Sequence, residues 1–248
     1  KIFLLAFLGV FAQANAQDRP VTGTDRMKAF EVQKALTQKS PYKDLQWRNI
    51  GPDNISGRTS EVLGVSGNKN IIYTSFASGG FWKTEDAGKS WKSLFDNQGT
   101  LSVGAFGVAP SNDKIIYLGT GEANIFRATL PGMGVFKSVD GGKSWNHVGL
   151  ANTSTISRVI VHPTNPDLVY VATTGNEWSY NKERGLFQTT DGGKTWKRLI
   201  NEDPNGIIDL IMDPTNPNTL YASSWNRIRL RWSDPTPQDG DYIWKSMD

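Results

Sequence analysis

Two acids, Glu122 and Glu177, stand at similar places in successive stretches rich in Asn, Arg and aromatic residues. A pair of carboxyl groups about 5 to 9.5 Å apart is what cleavage of a glycosidic bond needs, one as acid and the other as base or nucleophile. Asn124 and Arg127 follow the first acid, and Asn176, Trp178 and Arg184 surround the second. Trp225 and Arg227 make a third group of the same kind, while Arg58 and Arg158 come from segments ahead of these loops. Guanidinium groups grip carboxylates through paired bonds, and indole rings stack on sugars or extended peptides. The same charges would also serve as ordinary loop residues pairing with one another.

A second set of acids recurs with a fixed neighbourhood. Asp86, Asp140 and Asp191 each sit in the pattern S/T-x-D-x-G-x-S/T-W, with Gly88 and Trp91, Gly142 and Trp145, and Gly193 and Trp196 completing the three copies. The chain ends on Ser246-Met247-Asp248, the opening of a fourth. A short Asp side chain closes a turn by accepting backbone N–H bonds two residues on, and Gly supplies a backbone angle that other residues resist. The Trp is expected to pack between neighbouring sheets. A catalytic or calcium-binding acid is rarely repeated identically in every unit of a fold, so these residues read as structural.

The elements that would carry these groups follow from a second repeat. Glu61–Tyr73, Ala105–Tyr117, Arg158–Tyr170 and Asp209–Tyr221 align without a gap, each an apolar run, a Pro/Asn/Gly turn and a second run ending in Tyr. Such a pattern predicts a hairpin. The tyrosines lie 44, 53 and 51 residues apart, a period that points to propeller blades rather than a helical solenoid. The predicted fold is all-β: a propeller of four-stranded antiparallel blades, incomplete, with three full blades and part of a fourth. Strand one starts near Glu61, Ala105, Arg158 and Asp209. Strand three covers Gly80–Thr84, Gly134–Ser138, Gly185–Thr189 and Tyr242–Ser246, and strand four begins at Ser90, Ser144 and Thr195.

In an antiparallel meander the turns alternate between the two ends of the sheet. The short hairpin turns and the Asp turns therefore share one face. The long, dissimilar loops Gly119–Met133, Thr173–Arg184 and Ser223–Asp241 share the other, which is where ligand contacts are expected. Strand one is innermost in a propeller, so Glu61, Arg158 and Asp209 are expected to ring the channel mouth.

Residues 1–16 carry a basic start, an apolar run from Ile2 to Ala12 and an A-x-A site at Ala14–Ala16, the marks of a secretory signal peptide too short to span a bilayer. Lacking an initiator Met, the sequence is expected to be clipped at its start. Residues 17–45 form a polar lead-in with a short surface helix capped by Thr24 or Asp25 and running to about Gln38. Residues 46–248 hold the partial propeller. The chain has no Cys, which excludes disulfides, zinc–thiolate sites and thiol catalysis, and fits a bacterial periplasm or surface. With only His147 and His162, neither a histidine metal cage nor any cofactor is expected. A net charge of +3 is too weak to argue for nucleic acid.

The repeated acidic turn resembles the Asp-box, or bacterial neuraminidase repeat. The segment from Trp47 to Asp248 resembles the secreted Asp-box propellers of the sortilin-like group, often labelled glycosyl hydrolases in bacteria. Trp47–Pro52, Gly119–Asn124 and Gly134–Ser138 carry the likeness. That resemblance implies a propeller that binds a glycan or a polypeptide, or one that cleaves xyloglucan in a cleft shared with a second propeller. Xyloglucan-cleaving relatives place a catalytic Asp just before a Gly-Gly pair in the first blade. The matching stretch here ends Ala77-Ser78-Gly79-Gly80, with Ala77 at the Asp position. The early Arg-Ile-Pro motif of sialidases is absent. The expected function is thus an extracytoplasmic binding propeller, with a glycoside hydrolase using Glu122 and Glu177 as the alternative.

Overall fold

The computed structural model describes residues 21–45, 57–124, 129–200, 204–226, 228 and 241–246. The signal-peptide residues, Trp47–Pro52, Arg127, Arg227 and Asp248 lie outside the described residues.

A helix, α1 (Gly23–Lys39), precedes the strands. Its cap is Thr22 rather than Thr24 or Asp25. The Thr22 hydroxyl accepts the Asp25 amide at 3.1 Å, and the Asp25 carboxylate takes the Thr22 amide and hydroxyl at 3.0 and 2.8 Å, a reciprocal capping box. Gly23 can open the helix because a Cβ there would lie 1.5 Å from the Ala151 carbonyl oxygen.

The strands form four consecutive antiparallel meanders in which each strand pairs with its neighbour in sequence. Blade one is β1 (Thr59–Val65), β2 (Asn68–Phe76), β3 (Gly80–Thr84) and β4 (Lys92–Ser93). Blade two is β5 (Val103–Ala109), β6 (Asn112–Thr120), β7 (Val135–Ser138) and β8 (Asn146–Gly149). Blade three is β9 (Ile156–Val161), β10 (Val169–Thr173), β11 (Gly185–Thr189) and β12 (Lys197–Ile200). Blade four holds β13 (Gly206–Met212), β14 (Leu220–Trp225) and β15 (Ile243–Ser246). The first strands begin two or three residues earlier than the hairpin repeat suggests. The fourth begin two residues later, because the Asp turn uses the residues before them. This is a β-propeller arc of three full blades and part of a fourth.

The core lies between blades. Tyr73 and Phe81 of blade one stack on each other at 5.5 Å and meet Phe106, Ile116, Leu118 and Phe136 of blade two. Tyr117 and Val135 of blade two meet Val159, Val161, Val169 and Val171 of blade three, and Tyr170 and Leu186 of blade three meet Leu210, Leu220 and Ala222 of blade four. In blades two and three the period-two alternation of the strands thus buries both of their sides, one against the blade before and one against the blade after.

The three Asp turns have one geometry. Asp86 Oδ1 accepts the Ser90 amide at 2.9 Å, Asp140 Oδ1 the Ser144 amide at 2.9 Å, and Asp191 Oδ1 the Thr195 amide at 2.9 Å. The other oxygen accepts the Ser90, Ser144 or Thr195 hydroxyl at 2.6 Å. The carboxylate therefore reaches four residues on, not two. The reason is that residues four and five of the turn both have positive φ: Ala87 and Gly88, Gly141 and Gly142, Gly192 and Gly193, which folds the later amide back. These bonds, led by the hydroxyl donor, hold Asp86 and Asp140 down to about 2 and Asp191 lower still.

The turn also fastens one blade to the next. Trp145 Nε1 donates to the Leu94 carbonyl of blade one at 2.8 Å, and Trp196 Nε1 to the Val148 carbonyl of blade two at 2.7 Å. A Cβ on Gly142 would meet Leu94 Cδ1 at 2.7 Å, and one on Gly193 would meet Val148 Cβ at 2.8 Å. Glycine is needed there for close approach as well as for its backbone angle.

Candidate functional site on the long-loop face

The innermost strands bring three charges together. Arg158 Nε on β9 donates to Asp209 Oδ1 on β13 at 2.7 Å, and its Nη1 lies 3.9 Å from Glu61 Oε1 on β1. The other Glu61 oxygen accepts the Phe106 amide of β5 at 2.8 Å. One carboxylate and one guanidinium thus connect the first strands of all four blades. Burial pushes the Glu61 carboxyl upward from its ordinary value, opposed by the Phe106 amide and Arg158. Arg158 is only half-buried, yet its guanidinium is engaged by this network.

Glu122 departs from the expected surface acid. It is buried just beyond β6, and Arg58 grips both of its oxygens, Nε to Oε1 at 2.7 Å and Nη2 to Oε2 at 2.5 Å. The Glu122 amide donates to the Ser102 hydroxyl at 3.2 Å. The Arg58 carbonyl accepts the Ala77 amide at 3.0 Å, so this ion pair lies beside the position where the xyloglucan-cleaving pattern calls for Asp. A bidentate carboxylate with its side chain out of water is a positioning contact. Asn124, two residues on, is exposed.

Glu177 is also buried, and the Thr129 hydroxyl of the blade-two loop donates to it. That bond ties the blade-two and blade-three loops to each other. Around it the blade-three loop is built on its own polar groups. Asn176 accepts the Trp178 amide on its side-chain oxygen at 2.9 Å, and its own amide donates to Asn181 Oδ1 at 2.8 Å. Asn181 Nδ2 donates to the Asn152 carbonyl at 3.2 Å.

Arg184 is a correction to the sequence reading. It is fully buried, and its Nη2 donates to the carbonyls of Asn176 and Ser179, the latter at 3.2 Å. Its guanidinium carbon lies 5.6 Å from the centre of the Tyr180 ring. Arg184 is therefore the clamp beneath the loop rather than a group offered to a ligand. A charge with five donors can satisfy several loop carbonyls at once, which sequence spacing does not reveal.

What this clamp presents is aromatic. Trp178 is 51% exposed and Tyr180 54% exposed, two residues apart on the same held loop. Tyr180 was not among the candidate residues of the sequence analysis. The signal that would have singled it out is its spacing of two from Trp178. Trp225 ends β14 at the same end of the sheets and is half-buried.

Helix α1 rests on this face too. Arg26 donates through Nε and Nη2 to the Gly132 carbonyl at 3.1 and 2.6 Å, and Thr24 donates through its amide and hydroxyl to Asn152 Oδ1 at 3.1 and 3.0 Å. Met27 and Phe30 pack against the core of blades one and two. Among the described residues, no helix is long and apolar enough to cross a membrane.

Comparison with known proteins agrees with this architecture. The profile of the Sortilin-Vps10 family (sortilin, neurotensin receptor 3) matches residues 133–243. A xyloglucanase from Paenibacillus sp is 23% identical over 202 residues, covering 76% of this chain and 19% of that protein. The vacuolar protein sorting/targeting protein 10 of Sordaria macrospora is 30% identical over 87 residues, 35% of this chain and 6% of that protein. The crystal structure of an ancestral GH74 enzyme superposes with a TM-score of 0.53 at 25% identity, covering 69% of this chain and 22% of that one. The chain thus spans about a fifth of the length of these enzymes. With its four meander sheets and the cores between them, the chain is a β-propeller arc, similar to proteins of the sortilin-like and xyloglucanase-like group.

Proposed function

We infer that this propeller is an extracytoplasmic binding module that takes a glycan or an extended polypeptide on its long-loop face. The carrying observation is the pair Trp178 and Tyr180, half in water on a loop held from beneath by Arg184 and Asn181. A rigid aromatic pair lowers the ordering cost of binding and offers flat apolar faces to sugar rings or peptide side chains. Xyloglucan is the first probe to try, because enzymes named for its cleavage are among the relatives.

Hydrolysis is the second reading, supported by those relatives and by the buried Glu177 next to Trp178. Against it stand the Arg58–Glu122 pair, which engages one of the two acids, and Ala77 at the position where the resemblance calls for Asp.

Calorimetric titration with xyloglucan oligosaccharides and with an extended acidic peptide tests both readings. Saturable binding is expected for one of the two. Trp178→Ala and Tyr180→Ala should each weaken it about tenfold, or about 1.4 kcal/mol, with little change in melting temperature. Unchanged affinity in both variants would remove this loop from the site. Release of reducing ends from xyloglucan that stops in Glu177→Gln would favour the hydrolase.

A further inference from the structure

The loop that presents Trp178 and Tyr180 leans on two segments outside its own blade. The first is the crossover 150–155 between blades two and three. The Asn152 carbonyl accepts Asn181 Nδ2 at 3.2 Å, Asn181 Oδ1 accepts the Asn176 amide at 2.8 Å, and Asn176 Oδ1 accepts the Trp178 amide at 2.9 Å. The second is the blade-two loop, where the Thr129 hydroxyl donates to Glu177, the residue before Trp178.

Helix α1 holds both segments. Thr24 gives its amide and hydroxyl to Asn152 Oδ1 at 3.1 and 3.0 Å. Asn152 therefore joins the helix through its side chain and the aromatic loop through its backbone. Arg26 gives Nε and Nη2 to the Gly132 carbonyl of the blade-two loop at 3.1 and 2.6 Å. The Gly132 amide in turn donates to the Ser154 carbonyl at 2.7 Å, which ties the two segments together. All of these contacts come from the first two turns of α1, with Gly23 against the Ala151 carbonyl and Met27 and Phe30 on the core. Residues 31–39 of the helix are exposed. The crossover needs such support. Leu150 and Ser154, on either side of Asn152, have φ of 55° and 68°, a left-handed backbone that a Cβ opposes and that persists only where the surroundings fix it.

We propose, on the reading that the Trp178–Tyr180 loop takes the ligand, that the first two turns of α1 are a strap that fixes this loop, with Asn152 as the positioning residue between them. Affinity at the long-loop face is then set in part by a segment 128 residues away in sequence from the crossover it holds. With the strap in place the aromatic pair is ordered before a ligand arrives. With the strap released the ligand must order Trp178 and Tyr180 itself, and binds more weakly. Asn152 acts through Asn181 and Asn176, not by contact with the ligand.

Hydrogen exchange read by mass spectrometry on the full chain tests the strap without a ligand. Calorimetric titration with xyloglucan oligosaccharides and with the extended acidic peptide tests its effect on binding. Asn152→Ala removes the acceptor of both Thr24 bonds. Arg26→Met releases Gly132 from the helix side and leaves the crossover sequence untouched. Each variant should speed exchange of the amides of residues 174–184 about fivefold, the order set by one lost hydrogen bond, while the strands of blades two and three exchange as in the wild type. Each should also weaken the probe that binds about fivefold. Asn152→Asp keeps an acceptor oxygen for Thr24 and should match the wild type in both measurements, a rescue that general loosening of the crossover would not give. Wild-type exchange in both Asn152→Ala and Arg26→Met overturns the strap. So does Asn152→Asp exchanging as fast as Asn152→Ala, or faster exchange with unchanged affinity. A wild-type chain that binds neither probe overturns the binding reading instead, and exchange alone still decides the strap.

Discussion

Trp145 and Trp91 fill the same place in the same turn but have different neighbours, so truncating each to Ala separates what the turn needs from what the joint needs. Trp145 donates to the Leu94 carbonyl of the preceding blade at 2.8 Å and stands edge-on to Phe81 and Phe95 at 5.8 and 5.3 Å. Removing a fully buried Trp costs about 3–5 kcal/mol. Trp145 is half-buried, which lowers that figure, while the carbonyl left without its donor adds about 1 kcal/mol. The expected loss for Trp145→Ala is therefore about 3 kcal/mol, or about 6 to 12 °C in melting temperature for a domain of this size. Trp91, 42% exposed, should cost less than about 1 kcal/mol. Trp145→Phe keeps most of the ring and loses the donor, and should fall near 1 kcal/mol. Urea unfolding of dilute protein followed by circular dichroism measures all three. Equal losses at the two tryptophans would refute the reasoning, because they would place the stabilising contact inside the turn instead of between blades.

Ala87 has φ of 59° where the other two turns use Gly141 and Gly192; Ala87→Gly should raise stability by about 1 kcal/mol in the same assay, by relieving a left-handed backbone that opposes a Cβ. Asp140→Ala should cost about 1 kcal/mol, since the amides that it releases face water, and should leave any ligand affinity at the long-loop face unchanged in titration. The Asp turns also set an acid limit. Their carboxyls are depressed, so their contribution is full above pH 3.8 and is lost as pH falls toward about 2, readable as a falling melting temperature in that window. Glu61 has the opposite sign: its carboxyl is raised by burial, so its contribution is full below pH 4.5 and declines as pH rises through its folded value. Glu61→Gln keeps an acceptor for the Phe106 amide and should flatten the melting temperature as pH rises above 4.5; calorimetric scans with the wild-type slope would contradict this.

The blades were legible because their determinants are local. Tyr73, Tyr117, Tyr170 and Tyr221 mark one register position in four hairpins, and the Asp turns separate strands three and four in each full blade. Knowing that strand one is innermost was enough to bring Glu61, Arg158 and Asp209 together, although they come from three blades. The long loops were less legible, since their partners are set by space and not by spacing. Arg58 and Glu122 are 64 residues apart in sequence, and nothing in either segment announces their pairing. Arg184 looked like a surface charge because its carbonyl acceptors, Asn176 and Ser179, exist only once the loop has closed. The cap of α1 was misplaced by two or three residues because Thr22, Thr24 and Asp25 could each serve, and contact with Ala151 made Gly23 the first helical residue.

The direction of the blade joints bears on how the chain is assembled. The joint between blades two and three has two fastenings that belong to the later blade. The hairpin turn comes first, with Pro166 and Asp167 receiving Tyr117 and Lys137, and the turn Trp comes about thirty residues after it, with Trp196 closing on the Val148 carbonyl. The acceptor of that last bond has already emerged when its donor is made. A blade emerging from the ribosome or an export channel can therefore engage its predecessor before its own outer strand exists, and lock to it when that strand begins. Folding in this order requires no contact from sequence still to come, and the topology of the sheets makes vectorial assembly, one blade at a time, the natural course.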